Sequence, residues 1–272
     1  MVIEQHILFD WGMGAIDSLI DVGAPWVNHL FISHGHPYHS LGLDRLVFGH
    51  LRHGGSLPIP VYCTSGTCKM GPKRIYPWFF KNGQLQHEKV LRWQPKKLGL
   101  GIELKVTPVQ VYQGPSAPGA SIWVVEFGDQ HATPPTRRKL VLGWEFVHFV
   151  PRFPGEDKDQ DYKGRVHPDG LSLRDYYGDL FTNVDELFFD GNTRFPNPKT
   201  HHMSIQAALR FLIPQIQPRR TWILHYSGHE DSSGPMSDEE LQDWVDQEKL
   251  RGSLGKSDIC VARHGMQLRY AV

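Results

Sequence analysis

A group of histidines directly after a buried strand constrains this chain more than any other sequence feature. The apolar run 30–32 favours a buried strand, and His34, His36 and His39 follow it closely. The small Gly35 lets the backbone curl so that the three rings can converge. Ligands bind at the carboxyl ends of strands in α/β proteins, and imidazole is the commonest metal-binding side chain. The stretch therefore predicts a metal site, in preference to three solvated loop histidines.

Strand-like segments recur along the rest of the chain, and several end in a polar residue that can bind a metal. The predicted strands are 6–12, 30–32, 58–63, 102–113, 120–127, 139–146, 184–190 and 221–225, and a closing hairpin is predicted over 259–270. Helices are predicted over 15–22, 40–51, 204–213 (interrupted at Pro214) and from Ser237 onward. The polar strand ends are His34, Gln113, Glu145, Asp190 and His225. This order predicts a layered α/β sandwich with a site at one edge of its sheets.

The length of 272 residues suits one large domain, and we predict a single domain over 1–272. The segment 150–177 is rich in Pro, Gly, Asp and Lys and has little apolar periodicity. Loops of this length are often functional, so the segment is predicted to be a lid or loop insertion.

Composition narrows the range of partners. Equal numbers of basic and acidic residues, 29 each, give no broad electrostatic footprint for nucleic acid or an anionic membrane. No apolar run is long enough for a membrane span, and the N-terminus does not resemble a signal peptide. These features, with three cysteines that cannot all pair, predict a cytoplasmic protein with a small-molecule substrate. The aromatic run 76–80 is interpreted as core or as a contact in a homodimer.

Two of the cysteines, Cys63 and Cys68, are close enough in sequence to suggest a zinc clip. Because the sequence offers no second pair of ligands beside them, two reduced thiols at a strand end are the favoured interpretation.

The stretch His34-Gly-His-Pro-Tyr-His39 resembles the H-x-H-x-D-H signature of the metallo-β-lactamase fold superfamily. The segments 199–205 and 219–229 are similar to the branch that holds the tRNA 3′-processing nuclease and a cyclic phosphodiesterase. The resemblance runs from about Ile7 to His229. It implies a four-layer αββα sandwich. Because the family has a strand pair before the strand that here ends in Asp10, either the fold is trimmed of its first N-terminal strands or the start of the reading frame is misplaced.

The resemblance also implies a set of site residues. The implied metal ligands are His34, His36, His39, Gln113, Glu145 and His225, and the implied catalytic residues are His202, Tyr38 and Asp190. Three positions depart from the family pattern. Tyr38 stands where the family has aspartate, Gln113 where it has histidine, and Glu145 where it has the aspartate that bridges two metals. His202 matches the histidine that protonates the leaving group.

The resemblance implies a zinc-dependent hydrolase in which a metal-bound hydroxide attacks a phosphoester. With Tyr38 and Gln113 the site has one negative charge and one imidazole fewer than the family pattern, so one ion is favoured over two. His34, His36 and Glu145 form one candidate ligand set; His39, His225 and Glu145 form the other. Two alternatives stay open: hydrolysis of a thioester, lactone or amide, and a binding module that kept the fold and lost turnover.

Overall fold

The computed structural model describes residues 2–3, 7–12, 17, 19–20, 27–91, 96–99, 103–128, 136–149, 173, 177–197, 200, 202–229, 231, 234–251, 257–263, 266 and 268. The chain divides into two compact units. Unit 1 comprises Met1–Gln94, Gly114–Ser121 and Asp157–Gly164, and unit 2 comprises Pro95–Gln113, Ile122–Glu156 and Arg165–Val272. The single domain over 1–272 stays a prediction.

Unit 1 contains a sheet whose strands lie side by side in chain order. Its described strands are β1 (Val2–Ile3), β2 (Ile7–Phe9), β3 (His29–Phe31), β4 (Ile59–Cys63) and β5 (Leu85–Lys89). β1 pairs antiparallel with β2, and β2 to β5 run parallel. Strands buried on both faces read as continuous apolar runs, which is why β2, β3 and β4 could be predicted, whereas the short β1 and the mostly polar β5 were not. The parallel strands bring Asp10, Cys63 and residues 34–39, called the histidine loop below, to one edge of the sheet.

The helices of unit 1 correct one prediction. The helix predicted over 40–51 is present as α1 (Leu43–Arg52), but it starts three residues later than predicted, after a separate 3-10 turn at Pro37–His39. The predicted start was wrong because Gly42 has a left-handed backbone with φ of 96°, which a helix cannot continue through. The described part of the unit continues with α2 (Ser65–Met70), α3 (Pro72–Ile75) and α4 (Pro77–Lys81).

Unit 2 contains a second sheet. Its described strands are β6 (Lys96–Gly99), β7 (Glu103–Tyr112), β8 (Ser121–Gly128), β9 (Arg138–Gly143), β10 (His148–Phe149), β11 (Glu186–Asp190), β12 (Arg220–Leu224) and β13 (Asp258–Val261). Their order in the sheet is β10-β7-β8-β9-β11-β12-β13, and β6 pairs with β7. β9, β11, β12 and β13 are parallel neighbours. Their carboxyl ends therefore share one edge, which places Glu145, Asp190 and His225 together.

Helix α5 of unit 2 passes through a residue predicted to break it. It starts at Ile205–Ala207, widens to a π-helical turn at Ala208–Leu212, and ends at Ile213–Ile216. The interruption predicted at Pro214 is wrong, because the missing N–H of that proline falls where the hydrogen-bond pattern changes from π to α.

Helix α6 (Asp238–Arg251) begins directly after Ser237, as its sequence predicts. The Glu240 amide donates to the Ser237 hydroxyl and the Ser237 amide donates to the Glu240 carboxylate, at 3.2 and 2.8 Å. This reciprocal pair is a capping box, which satisfies two N–H groups that have no partner inside the helix.

Several predicted segments fall largely outside the described residues: the helix at 15–22, the lid at 150–177, and the second strand of the hairpin at 259–270. None of the described helices combines the length and the apolar composition needed to cross a lipid bilayer.

Candidate metal centre

The histidines of the sequence motif come together at the carboxyl end of β3, within unit 1. His34 and His39 are buried and His36 is half-buried. The Nε2 atom of His34 lies 3.0 Å from Nδ1 of His36. The ring centroids of His34 and His39 are 4.0 Å apart. The structure therefore places the ring of His34 against the rings of both His36 and His39.

The tight turn of the histidine loop requires a glycine between its first two rings. A Cβ atom on Gly35 would lie 2.7 Å from the Cβ of Met70 and 3.2 Å from the amide nitrogen of Gly71. Real Cβ atoms do not approach so closely, so any larger residue would push the loop away from the end of α2. Downstream, the 3-10 turn at Pro37–His39 returns the third ring to the other two.

Asp10 supports the histidine loop from the end of the neighbouring strand β2. Its carboxylate accepts hydrogen bonds from the Ser33 amide and hydroxyl, both at 2.7 Å. One oxygen lies 3.0 Å from Nδ1 of His39. Burial raises the pKa of Asp10, but His39, His34 and the Ser33 amide lower it by more, so the net pKa lies below its ordinary value. A carboxylate on Nδ1 turns Nε2 outward, which is how metal-binding histidines are commonly oriented.

Two hydroxyl groups lie against the imidazole of His36. The phenol oxygen of Tyr38 is 3.0 Å from Nδ1, and the Ser116 hydroxyl is 3.0 Å from Nε2. Tyr38 is 49% exposed, so its ring lies at the rim and not in the core. The tyrosine that replaces the family's aspartate therefore contacts the same nitrogen that faces His34.

In unit 2, Gln113 and Glu145 form a buried polar pair. Gln113 directly follows β7, and its amide nitrogen donates to the Glu145 carboxylate at 3.4 Å. The other Glu145 oxygen lies 3.7 Å from Nδ1 of His225. The strand predicted over 139–146 ends earlier, at Gly143, because Glu145 takes a left-handed backbone with φ of 57°. The amide oxygen of Gln113, the atom able to bind a metal, takes no part in its bond to Glu145.

Asp190 binds two histidines that are distant from each other in sequence. It is the last residue of β11 and has no exposed surface. Its two oxygens lie 2.5 Å from Nδ1 of His202 and 3.1 Å from Nδ1 of His225. Within this group, each residue has a ligand atom within 4.8 Å of the others. A single buried carboxylate thus orients both rings, with the Nε2 atoms on the opposite sides of the rings.

The protonation of His202 depends on this carboxylate. Burial lowers the pKa of His202, but the hydrogen bond and charge of Asp190, with the charge of Glu145, raise it by more. The net pKa lies above the ordinary value of 6.5. His202 therefore holds a proton more readily near neutral pH than an isolated histidine does, which suits it to give that proton away.

Strained backbone marks the strand ends that carry these residues. Among the described non-glycine residues, φ is positive at Asp10, Glu145, His225, Asn183 and Gln217. The first three have φ of 58°, 57° and 57°; Asp10 and His225 directly follow β2 and β12, and Glu145 lies two residues after the end of β9. Left-handed backbone costs a non-glycine residue about 1 to 3 kcal/mol and is concentrated at functional sites. The strain is independent support for a function at these positions.

Ser33 and Ser116 contact the histidines but were not among the site residues predicted from the sequence. Ser33 could have been found, because it immediately precedes the first histidine and its hydroxyl lies 2.9 Å from Nδ1 of His34. Ser116 gave no such signal, because 80 residues separate it from His36.

No protein-family model matches the chain, and no curated protein matches it in sequence. Solved structures do resemble it. A diphosphatase of the PhnP family is 18% identical with a TM-score of 0.62, over 98% of this chain and 80% of that one. The metallo-β-lactamase fold protein YhfI from Bacillus subtilis is 14% identical with a TM-score of 0.60, over 97% and 88%.

Zn²⁺-bound PqqB from Methylobacterium extorquens is a third similar structure, 14% identical with a TM-score of 0.55, over 99% of this chain and 86% of that one. At this level of identity the likeness establishes the fold. The prediction of a metallo-β-lactamase fold, made from the histidine loop and the order of the strands, is confirmed.

Proposed function

We propose that this chain, which has the metallo-β-lactamase fold, is a metal-dependent hydrolase that acts on phosphoesters. The observation that carries the proposal is the convergence of His34, His36 and His39 at the end of β3. The similarity to a diphosphatase and to a zinc-bound protein of the same fold favours phosphoester chemistry and zinc.

The imidazoles of unit 1 fit a zinc ion. Two nitrogens on one tetrahedral zinc, each about 2.0–2.1 Å from it, lie about 3.3 Å apart. The 3.0 Å between His34 and His36 is close to that spacing. Nδ1 of His34 lies against Ser33, and Nδ1 of His39 lies against Asp10. These contacts leave Nε2 as the ligand atom of both rings, with its orientation set in advance.

The proposed ligands are those predicted from the sequence: His34, His36, His39, Gln113, Glu145 and His225. A bound zinc ion would lower the pKa of a coordinated water and stabilise negative charge on the phosphoryl oxygens. We favour one ion, because the Tyr38 hydroxyl contacts His36 where the family has a charged carboxylate. A neutral phenol supplies no charge to hold a second dication near neutral pH.

The proposed role of His202 is to protonate the leaving oxygen. Asp190 binds its Nδ1 and holds the proton on the ring, so Nε2 is the atom that would deliver a proton. Such general-acid catalysis is worth about 10² to 10⁴ in rate. Asp190 acts through His202 and His225 and is a positioning residue.

The test combines metal analysis with turnover. The zinc-loaded protein is expected to hydrolyse bis(p-nitrophenyl) phosphate, and His36→Ala is expected to lose both zinc and turnover. Loss of a direct ligand should exceed the 10- to 100-fold cost of losing an outer partner. His53→Ala, at the exposed end of α1, is the matched control and should keep both. Zinc-loaded protein that turns over no phosphoester would contradict the proposal. If that protein hydrolyses thioester or lactone probes instead, the chain is a hydrolase of that alternative substrate class.

One observation favours a binding module without turnover, namely the contact of Tyr38 with the nitrogen of His36. The double variant Tyr38→Asp with Gln113→His restores the family's residues at two positions. If it hydrolyses the phosphodiester while the natural chain does not, the natural chain is a non-catalytic relative. If the natural chain is active and His36→Ala is inactive, the enzyme is supported.

A further inference from the structure

A second cluster of metal-binding side chains lies in unit 1, away from the histidine loop. It consists of Cys63, Cys68 and His87, with one ligand atom of each within 4.8 Å of the others. Both cysteines are buried, at 0% and 1% exposure, and the histidine is half-buried. The sequence interpretation of two reduced thiols rested on a missing further ligand, and the structure provides one from β5.

The fold brings the cluster together through neighbouring elements of one unit. Cys63 is the last residue of β4, and His87 lies on the parallel neighbour β5. Cys68 lies within α2, whose start is fixed by the Thr64 hydroxyl, which accepts a hydrogen bond from the Thr67 amide at 3.2 Å. The three residues therefore do not depend on a flexible loop for their positions.

The orientation of His87 is that of a metal ligand. Its Nε2 bonds the main-chain carbonyl of Cys63 at 3.1 Å and is therefore the protonated nitrogen. Nδ1 then carries the lone pair. Metal-binding histidines commonly donate their other N–H to a carbonyl in this way, which selects the tautomer and holds the ring.

The size and charge of the cluster suit a zinc-like ion. Zinc binds sulfur at about 2.3 Å and nitrogen at about 2.0–2.1 Å, so its tetrahedral ligands lie about 3.3–3.8 Å apart. Separations of at most 4.8 Å reach that range with small side-chain rotations. Two thiolates and one neutral imidazole would balance the charge of a dication, which matters because the cysteines are buried and an uncompensated charge there is costly.

We propose that Cys63, Cys68 and His87 form a second metal site, which takes a soft divalent cation such as Zn²⁺. The ion joins β4, α2 and the edge strand β5, and an exogenous ligand completes its tetrahedron. This proposal does not rest on the hydrolase function proposed above.

Helix α2, which carries Cys68, connects this site to the histidine loop. The end of α2, at Met70 and Gly71, contacts Gly35 of that loop. The Thr64 and Thr67 hydroxyls also bond the carbonyl of Gly119, at 2.8 and 3.1 Å. An ion on Cys68 would therefore hold in place the helix against which the histidine loop packs.

The test uses Co²⁺ in place of Zn²⁺ because only thiolate ligands give the cobalt protein a strong near-ultraviolet charge-transfer band. The histidine loop offers no thiolate and cannot produce this band. The full-length protein loaded with Co²⁺ is expected to show the band, and His36→Ala is expected to retain it. Cys68→Ser should lower the intensity of the band, because one of the two thiolates is removed, and weaken binding at this site by about tenfold or more.

Cys260→Ser is the matched control, since this cysteine is on β13 of unit 2 and should leave the band unchanged. His87→Gln serves as a second variant on an edge strand, in case Cys68→Ser does not fold. It is expected to fold and to bind Co²⁺ at this site about tenfold or more weakly. Folded, cobalt-loaded wild-type protein without the band overturns the proposal, as does a band that depends on Cys260 or a Co²⁺ affinity, read from titration of the band, that His87→Gln leaves unchanged.

Discussion

The histidine loop of unit 1 and the cluster of Asp190, His202 and His225 in unit 2, called the Asp190 cluster, orient their imidazoles in different ways. The loop delivers three rings from six consecutive residues, and its backbone brings them together. In the cluster, the two rings come from segments distant in sequence, and one carboxylate binds both. The loop depends on local backbone geometry, whereas the cluster depends on a single side chain.

This difference shows where each region is vulnerable. Asp10 supports the loop much as Asp190 supports the two rings of the cluster, and its carboxylate lies 3.0 Å from Nδ1 of one imidazole, that of His39. Removing the charge of Asp10 should loosen one ring of three, while removing that of Asp190 should affect every ring in its group. Substitutions at these two carboxylates test the comparison.

The largest effect is expected for Asp190→Asn. Asparagine has one acceptor oxygen instead of two, so it cannot accept from Nδ1–H of both His202 and His225. We expect turnover of bis(p-nitrophenyl) phosphate to fall by about 10² to 10⁴, as for loss of a general acid. Asp258→Asn, an exposed carboxylate on β13, is the control and should keep full turnover. Wild-type turnover in Asp190→Asn would contradict a shared role for this carboxylate.

A smaller effect is expected for Asp10→Asn. The variant keeps an oxygen for Ser33 but weakens the bond to Nδ1 of His39, so one ligand is less well oriented. Loss of such an outer partner typically costs 10- to 100-fold in metal affinity. Competition with a zinc chelator measures the affinity. If Asp10→Asn reduces turnover more than Asp190→Asn does, the positions of the three imidazoles in the histidine loop depend on the Asp10 side chain and not mainly on the loop backbone.

Tyr38→Asp is expected to act in the opposite direction, because it adds a carboxylate beside His36 where the phenol now lies. A hard oxygen ligand with a negative charge favours a second dication, and we expect about a tenfold gain in its affinity. Titration with zinc, read as ions bound per chain, measures the change. Tyr38→Phe is the matched control, since it removes the hydroxyl without adding charge. An equal gain in both variants would show that the hydroxyl merely obstructs the site.

The smallest effect on the site is expected for Glu126→Gln, which tests stability in unit 2 alone. Glu126 on β8 pairs with Lys105 at 2.6 Å, with Arg137, and with Lys139 at 4.0 Å. Burial raises the pKa of Glu126, but Lys105 and the other two cations lower it by more, so its net pKa is below the ordinary value of 4.5. The variant should lose about 1 to 3 kcal/mol of unfolding free energy at pH 7.

The pH dependence of that loss has a definite sign. A depressed carboxyl pKa stabilises the folded state fully above the unfolded value near 4.5, and the contribution disappears as pH falls through the folded value. Urea unfolding of wild type and Glu126→Gln should therefore differ at pH 7 and converge as the pH falls through the folded pKa of Glu126, which lies below 4.5. A difference independent of pH would mean that packing, and not charge, accounts for the loss.

Most of the described strands could be predicted from the sequence because each contains a short apolar run or an alternating apolar pattern. The strands β1, β5, β6 and β10 were not predicted, because they are very short or mostly polar. The remaining errors occurred where a single residue's backbone decided the outcome. Gly42 delays the start of α1, Glu145 shortens β9, and a π-helical turn carries α5 past Pro214. Periodicity cannot reveal these departures, since a left-handed residue or a wider turn leaves the apolar pattern unchanged.

The residues of the candidate site could be predicted from the sequence, but several of the contacts between them could not. The histidine loop was visible because its members are neighbours in sequence. The bond of Asp190 to two histidines, and the contact of Tyr38 with His36, were not visible, since each depends on rotamers that packing selects.

The sequence by itself determined the fold class, the order of the strands and the residues at their carboxyl ends, because these follow from short-range apolar patterns and near-neighbour histidines. Only the tertiary structure decided which rings Asp190 orients and that His87 joins Cys63 and Cys68. Those partnerships depend on strand register and on contacts between residues distant in sequence, which no local pattern specifies.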